Sequence, residues 1–209
     1  MSKHPRASFD SVLPQLQTGD IVLGSGTTLF SRIVRKVTRS TWSHSGIVIV
    51  SEDTGEHFLL ESNTTTEVID VEAGVPVDGV QLVLLEDRIR AYPGFMAVRH
   101  LNLERTPTML RILRDFHREV RGRPFDRNPL QLLRSAVDDS RWLAENARDL
   151  TSLFCSELVA EAYQRLGLLP EDPPSNEYTP KDFSSESMTA LPLPEGVLLG
   201  HELVLSLEH

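Results

Sequence analysis

Cysteine is nearly absent from this chain of 209 residues, since Cys155 is the only one. A single cysteine excludes an internal disulfide and a cysteine-rich zinc site. Long hydrophobic runs are missing too: no stretch approaches the roughly 18 apolar residues that a membrane-spanning helix needs. Basic residues are fewer than acidic ones, and the net charge of −9 argues against general binding to the phosphate backbone of nucleic acids.

The N-terminus lacks the apolar segment of a secretory signal, which predicts synthesis in the cytoplasm without a signal peptide. The hydrophobic content of 40% and charged content of 24% are ordinary for a globular protein. We therefore predict one domain over residues 1–206, in which 102–150 fits the pattern least and suggests a helical insertion. Residues 207–209 are interpreted as the remnant of an expression tag. The oligomeric state is left open.

Helical and strand patterns are segregated along the chain rather than strictly alternating, which predicts an α+β fold with a largely antiparallel sheet. A strand over 21–23 ends at Gly24-Ser25-Gly26, and Thr27 or Thr28 caps the next helix. A strand over 45–51 turns back at Asp53-Thr54-Gly55 into a strand over 57–61, as a hairpin. The other predicted elements are an irregular segment over 1–17, strands over 66–71, 80–85, 95–101 and 196–207, helices over 107–122, within 132–150 and over 155–167, and a short helix after Thr179.

Cys155 opens the amphipathic helix that ends at Gly167. The positive end of the helix dipole and the unpaired N–H groups of the first turn favour a thiolate there. Cys155 also precedes Leu158 by one turn, on the face that Leu158, Val159 and Ala162 mark as buried. A lone buried cysteine is commonly an inert small hydrophobic residue, so the helix alone leaves both interpretations open.

A nucleophilic cysteine needs a base, and the base needs a third group that fixes its ring. His44 is the best of seven histidines because it lies at the mouth of a core strand. Glu61 ends the partner strand of the hairpin, so it is expected near His44, where its carboxylate would accept the Nδ1 proton. Asn63 is the alternative third residue. His44 could instead be a hydrogen-bonded structural residue, and Glu61 an exposed charge at the end of its strand.

Three segments resemble the first strands of NlpC-type cell-wall peptidases: Thr18-Gly19-Asp20-Ile21-Val22, Ser43-His44-Ser45-Gly46-Ile47-Val48 and Leu59-Leu60-Glu61-Ser62. In those papain-like enzymes the cysteine helix precedes the strands. Here the similar segment, Phe154-Cys155-Ser156-Glu157-Leu158-Val159, follows them. This reversed order resembles the circularly permuted branch, the papain-like amidases of the YaeF/YiiX type, and Tyr178-Thr179-Pro180-Lys181-Asp182-Phe183 resembles the tail of that branch.

The resemblance implies a permuted papain-like fold and a cysteine amidase or peptidase with Cys155, His44 and Glu61 as its catalytic residues. Gly19 and Asp20 match a motif interpreted as a structural turn. Peptides of the bacterial cell wall are the implied substrate, and no cofactor or metal is expected. Because such a substrate lies outside the cytoplasm, a specialised secretion machine and an immunity protein are the partners to expect for an antibacterial toxin.

Two other functions compete with this one. Folds similar to lecithin retinol acyltransferase use the same cysteine and histidine on acyl esters, which would make the substrate a lipid. The other is a non-catalytic binding module.

The basic helix face of Arg32, Arg35, Lys36 and Arg39 is either solvated or guides an anionic polymer or membrane toward the His44 strand. The segment over 24–28 lacks the lysine of a phosphate-binding loop and is interpreted as a turn.

Overall fold

The computed structural model describes residues 4–64, 67–124 and 155–207. The strands are β1 Arg6–Ser8, β2 Ile21–Gly26, β3 His44–Val50, β4 His57–Asn63, β5 Gly79–Leu84, β6 Gly94–Arg99, β7 Leu101–Asn102, β8 Leu198–Leu199 and β9 Leu203–Ser206. The helices are α1 Phe9–Val12, α2 Leu29–Thr38, α3 Leu85–Ala91, α4 Pro107–Val120 and α5 Cys155–Arg165, with short 3-10 turns at Leu13–Gln15 and Ser175–Glu177.

Seven strands form one sheet in the order β1-β9-β6-β2-β3-β4-β5, and β7 pairs separately with β8. Only β1 and β9 run parallel within the described sheet, and every other pair is antiparallel. The predicted α+β architecture with a largely antiparallel sheet is confirmed in this part of the chain. The sheet also confirms the predicted β3–β4 hairpin, in which Gly46 lies opposite Glu61.

Apolar side chains cover both faces of the sheet because residues alternate between the faces along each strand. One face meets α4 and α5 through a cluster that includes Ile47, Leu113 and Val159. The other face meets the N-terminal segment and α3 through a cluster that includes Val48 and Leu85. The sheet is thereby a rigid central layer, on which side chains at the strand ends have fixed positions.

Helix boundaries agree with the capping signals in the sequence. The Thr28 side chain accepts a hydrogen bond from the Ser31 backbone N–H at the start of α2. Thr106 does the same for Met109 at the start of α4, where Pro107 takes the first helical position. None of the described helices is both long and apolar enough to cross a membrane.

Several predicted elements differ in the structure. The N-terminal segment is not irregular, since β1 joins the sheet beside β9 and α1 follows it directly. No strand forms over 67–71, where Asp70 makes an isolated bridge to Val83. The chain after Thr179 is a series of turns, because the Asp182 carboxylate accepts hydrogen bonds from the Thr179 N–H and hydroxyl and closes a tight turn. Helix α3 was not predicted, each C-terminal β-segment is shorter than expected, and the predicted helices within 132–150 lie outside the described residues.

The predicted break at Gly24-Ser25-Gly26 is wrong, because β2 continues through Gly26 and pairs with β6 along its whole length. A Cβ atom on Gly24 would lie 2.5 Å from the Tyr92 hydroxyl oxygen. A Cβ on Gly26 would lie 2.3 Å from the Ser31 Oγ atom. These glycines therefore allow close approach of side chains to the strand instead of ending it.

Candidate active site

His44 and Glu61 lie on the same face of the β3–β4 hairpin. His44 is the first residue of β3, and Gly46, two residues later, lies directly opposite Glu61. Residues directly opposite in an antiparallel pair point to the same side, as do residues two apart in a strand. Gly46 carries no side chain, so the imidazole can reach the carboxylate across this position.

The His44 Nε2 atom lies 2.5 Å from the Glu61 Oε2 atom, and both side chains are buried. The sequence predicted a contact through Nδ1, and this detail is wrong. Since Nε2 faces Glu61, the Nδ1 atom is the ring nitrogen that remains for the Cys155 thiol, which forms a hydrogen bond with His44. The alternative residue Asn63 lies one strand repeat further, opposite Gly79 of β5.

Two residues that the sequence did not predict hold the second oxygen of Glu61. The Arg88 Nη2 atom lies 2.5 Å from Oε1, and the amide nitrogen of Gln81 donates to the same oxygen at 2.9 Å. The Arg88 and Glu61 side chains are both fully buried, and Gln81 lies opposite Glu61 on β5. A buried ion pair with hydrogen-bond partners on both oxygens fixes the carboxylate in one orientation.

Glu61 and His44 each stabilise the charged form of the other. Burial opposes ionisation of Glu61, yet the neighbouring His44 and the Arg88 guanidinium outweigh it and lower the pKa of the carboxyl. Burial also opposes a charged His44, but the Glu61 charge and the contact with Cys155 raise its pKa to about 10. At neutral pH the imidazole is therefore a cation between two acidic groups.

The Cys155 thiol completes this chain of contacts. It belongs to helix α5, which packs against the face of the sheet opposite to the one that α3 covers. Burial would raise the pKa of the thiol, but the hydrogen bond and charge of His44 lower it below its ordinary value. His44 lies at the end of β3, where a group from the α5 side can reach its ring. The structure thus brings together Cys155, His44 and Glu61.

Tyr92, which follows α3, was also missed by the sequence analysis. Its ring stacks on His44 with 6.0 Å between centroids and an angle of 28° between planes. Burial raises the pKa of the Tyr92 hydroxyl, a hydrogen bond with Ser43 partly offsets this effect, and the group stays neutral. Tyr92 therefore packs against one side of the imidazole and restricts its rotation.

Gly24→Ala is expected to disturb this packing. The new methyl group would meet the Tyr92 hydroxyl at 2.5 Å and approach the His44 Cβ atom at 3.2 Å, so the side chains must shift. We expect a loss of about 1–3 kcal/mol in the free energy of unfolding, the usual cost of overpacking. Denaturant titration measures this, and the double variant Gly24→Ala/Tyr92→Leu should recover part of the loss. Additive effects of the two substitutions would contradict the contact.

Asp20 has a structural environment that agrees with its interpretation as a turn residue. Its carboxylate accepts a hydrogen bond from the Leu101 backbone N–H at 3.0 Å and forms ion pairs with Arg105 and His100. The hydroxyl of Tyr163 on α5 donates to the carbonyl of Gly19. These bonds tie the start of β2 to α5 and to the segment after β6, and they place the cysteine helix against the sheet.

Comparisons with known proteins support the fold alone. No protein-family model matches the chain, and no curated protein matches it significantly. Among solved structures, the chain is similar to the crystal structure of metalloprotein YiiX from Escherichia coli O157:H7, DUF1105. The TM-score is 0.50 at 22% identity, over 73% of this chain and 68% of that one. The chain shares a YiiX-like fold.

Proposed function

We propose that this protein is a cysteine hydrolase of the permuted papain-like type, with Cys155 as nucleophile, His44 as acid and base, and Glu61 as the residue that orients His44. The observation that carries the proposal is the chain of contacts from the partly exposed Cys155 thiol through the buried imidazole to the buried carboxylate. An inert cysteine needs no such partners, whereas a nucleophile needs a base and the base needs an orienting group. The YiiX-like fold supports the same class.

In the proposed reaction the Cys155 thiolate attacks the carbonyl carbon of an amide, and the carbonyl electrons move onto oxygen. As that tetrahedral intermediate collapses, the C–N bond breaks and the His44 imidazolium gives its proton to the leaving amine. The product is a thioester on Cys155. His44 then takes a proton from water, the resulting hydroxide attacks the thioester, and the acid and the thiolate leave while His44 regains its charge.

Glu61 and its partners keep the imidazole in place through both steps. Because Arg88 and Gln81 bind one carboxylate oxygen, the other is directed at the His44 Nε2 atom. The Glu61 charge then compensates the positive charge on His44 in the tetrahedral intermediate, after the thiolate is consumed and before the imidazolium gives up its proton. The triad therefore does not depend on solvent to stabilise its charges.

The name of the YiiX structure describes a metalloprotein, but the residues described here do not fit a metal site. No group of three or more His, Cys, Asp or Glu side chains in the described ranges has a suitable arrangement. Glu61 is engaged by Arg88, and a guanidinium beside a carboxylate competes with a metal cation for it.

Amide bonds in the peptides of bacterial cell wall are the proposed substrate, since the family that the sequence resembles acts on them. An antibacterial role, with delivery by a specialised secretion system and a cognate immunity protein, belongs to the same proposal. Expression directed to the periplasm of a bacterial host tests that role: the wild type should lyse cells, and Cys155→Ala should not.

The decisive experiment incubates wild type and Cys155→Ala with purified sacculi and, separately, with phospholipid vesicles. We expect new amino groups and soluble peptide fragments from sacculi with the wild type alone. His57→Ala is the matched control, because His57 lies at the other end of the same hairpin, opposite Val50, with its Nε2 atom 3.3 Å from the Leu16 carbonyl oxygen. Release of fatty acid from vesicles instead would favour a lipid esterase. Identical products from wild type and Cys155→Ala on both substrates would refute the hydrolase.

A further inference from the structure

A cavity of about 590 Å³ lies at the end of the sheet where β3 begins. Its lining comes from β2, the end of α2, the segment that leads into β3, the start of β6 and the C-terminal region, and consists of Ser25, Arg35, Arg39, Ser40, Thr41, Phe95 and Glu186. Two cationic side chains, Arg35 and Arg39, face one space, and guanidinium groups suit an anion.

The cavity is close to the candidate nucleophile. Leu23 lies opposite Ser45, and Ser25 is two residues further along β2, so Ser25 and Ser45 are on the same face of the sheet. Two strand residues span roughly 7 Å. Helix α5, which carries Cys155, packs against β3, so the cavity lies near the end of β3 where His44 meets the Cys155 thiol.

Within the part of the chain that the structure describes, the arginines of the cavity have no anionic partner. Across residues 4–64, 67–124 and 155–207, neither Arg35 nor Arg39 forms an ion pair with a carboxylate. Arg35 donates from Nη1 to the Ser25 hydroxyl at 3.3 Å, while its buried Nε atom has no hydrogen-bond partner within the same ranges. A buried guanidinium N–H without an acceptor costs free energy, which an anionic ligand would recover.

Glu186 is the acidic residue of the lining, and within the described ranges its carboxylate is bound by His4, Ser40 and Thr41 and forms no ion pair with Arg35 or Arg39. Its Oε2 atom accepts hydrogen bonds from the Ser40 hydroxyl and the Thr41 N–H, and its Oε1 atom accepts one from the Thr41 hydroxyl. Glu186 therefore fixes the Ser40–Thr41 segment just before His44. Its role in the cavity is to shape the wall.

The backbone of Arg39 adds an independent observation. Arg39 ends α2 with φ of 51°, in the left-handed conformation that favours glycine. It is the sole non-glycine residue with positive φ in the described chain. Strained conformations of this kind concentrate at functional sites. An arginine at the position where glycine would be less strained points to use of its side chain.

We propose that this cavity binds a carboxylate group of the substrate, with Arg35 and Arg39 as its ligands, and thereby presents an acidic peptide to Cys155. The proposal rests on the proposed function and adds the chemical class of the substrate. The Ser25 hydroxyl, which accepts a hydrogen bond from Arg35, supplies a further donor, and Phe95 supplies an apolar wall beside the anion. A substrate without this carboxylate lacks the contact that anchors it.

Arg39→Gly tests the cavity without damage to the fold, because glycine adopts the left-handed conformation more easily. We expect an unchanged or raised thermal midpoint, together with a KM for stem peptides from sacculi that is about 10- to 100-fold higher, the usual effect of losing one charge-assisted contact. Lys36→Gln is the matched control, since Lys36 is an exposed cation on the same helix outside the lining. It should leave KM within about twofold.

A binding measurement separates this proposal from the catalytic one. Isothermal titration of the Cys155→Ala protein with stem peptides should show binding that Arg39→Gly weakens and that conversion of the peptide carboxyls to carboxamides abolishes. Equal binding of carboxylate and carboxamide peptides, or no effect of Arg39→Gly, would overturn the cavity assignment even if the wild type is a hydrolase. Competition by inorganic phosphate and retention on phosphatidylglycerol vesicles, with no binding of peptides, would also overturn it, in favour of a lipid phosphate.

Discussion

Arg88→Met is expected to lower the free energy of unfolding by about 3–5 kcal/mol, the cost of breaking a buried ion pair from one side. The Arg88 and Glu61 side chains are both fully buried, so removal of the guanidinium takes one of two cationic partners from the Glu61 anion and leaves its Oε1 atom without a charged neighbour. Arg90→Met is the matched control on the same helix. Arg90 pairs with Glu86 in an exposed position, where a change within about 0.5 kcal/mol is expected.

The pH dependence of this loss identifies its cause. The folded-state pKa of Glu61 is depressed, so its ionisation stabilises the protein above the unfolded pKa of about 4.3 and ceases to do so as the pH falls through the folded value. Without Arg88 the folded pKa rises. The difference in stability between Arg88→Met and wild type should therefore be largest near neutral pH and shrink in acid.

A double variant separates charge from packing. Arg88→Met/Glu61→Gln removes both charges, so we expect it to be more stable than Arg88→Met alone in denaturant titrations at pH 7. Activity should not return, because a glutamine at position 61 cannot compensate the charge of the imidazolium. A double variant no more stable than Arg88→Met would mean that Arg88 acts through packing alone.

The sequence was sufficient to predict the position of Glu61 but not its surroundings. Hairpin register follows from a short turn between two strands, and it brings Glu61 opposite Gly46 with local information alone. Gln81 and Arg88 reach the same carboxylate only after β5 and α3 have packed, which depends on contacts distant in sequence. One signal was available: Leu85, Arg88 and Ile89 form the buried face of α3, and an arginine on an apolar face requires a buried partner.

The error at Gly24-Ser25-Gly26 has a related cause. Glycine pairs usually end strands, and nothing local distinguishes a turn from a strand that needs bare backbone. The reason for the glycines lies in Tyr92 and Ser31, side chains that reach β2 from other elements. The cavity could likewise be predicted only in part. The sequence shows the basic face of α2, but it does not show that this face lies beside Ser25 and Phe95.

The pH profile of Cys155 alkylation by iodoacetamide is expected to shift strongly in His44→Ala. An ordinary thiol ionises near pH 8.5, whereas His44 lowers the pKa of this thiol, so the wild type should react well below that pH. Without the imidazolium, burial remains as the main influence and the midpoint should move to about 8.5 or above. Mass spectrometry of the single cysteine gives the rate directly. His57→Ala is the control and should keep the wild-type midpoint.

Cys155 and His44 together set the acid and the alkaline limit of activity. The thiolate forms as the pH rises through the lowered pKa of Cys155, and the imidazolium is lost as the pH rises through the raised pKa of His44, about 10. Hydrolysis, measured as kcat/KM, should therefore follow a bell whose limbs belong to the coupled pair. In Glu61→Gln the main charge that raises the pKa of His44 is absent, so the alkaline limb should move toward neutrality. An unmoved alkaline limb would show that Glu61 does not sustain the imidazolium, and the orienting role assigned to it would fail.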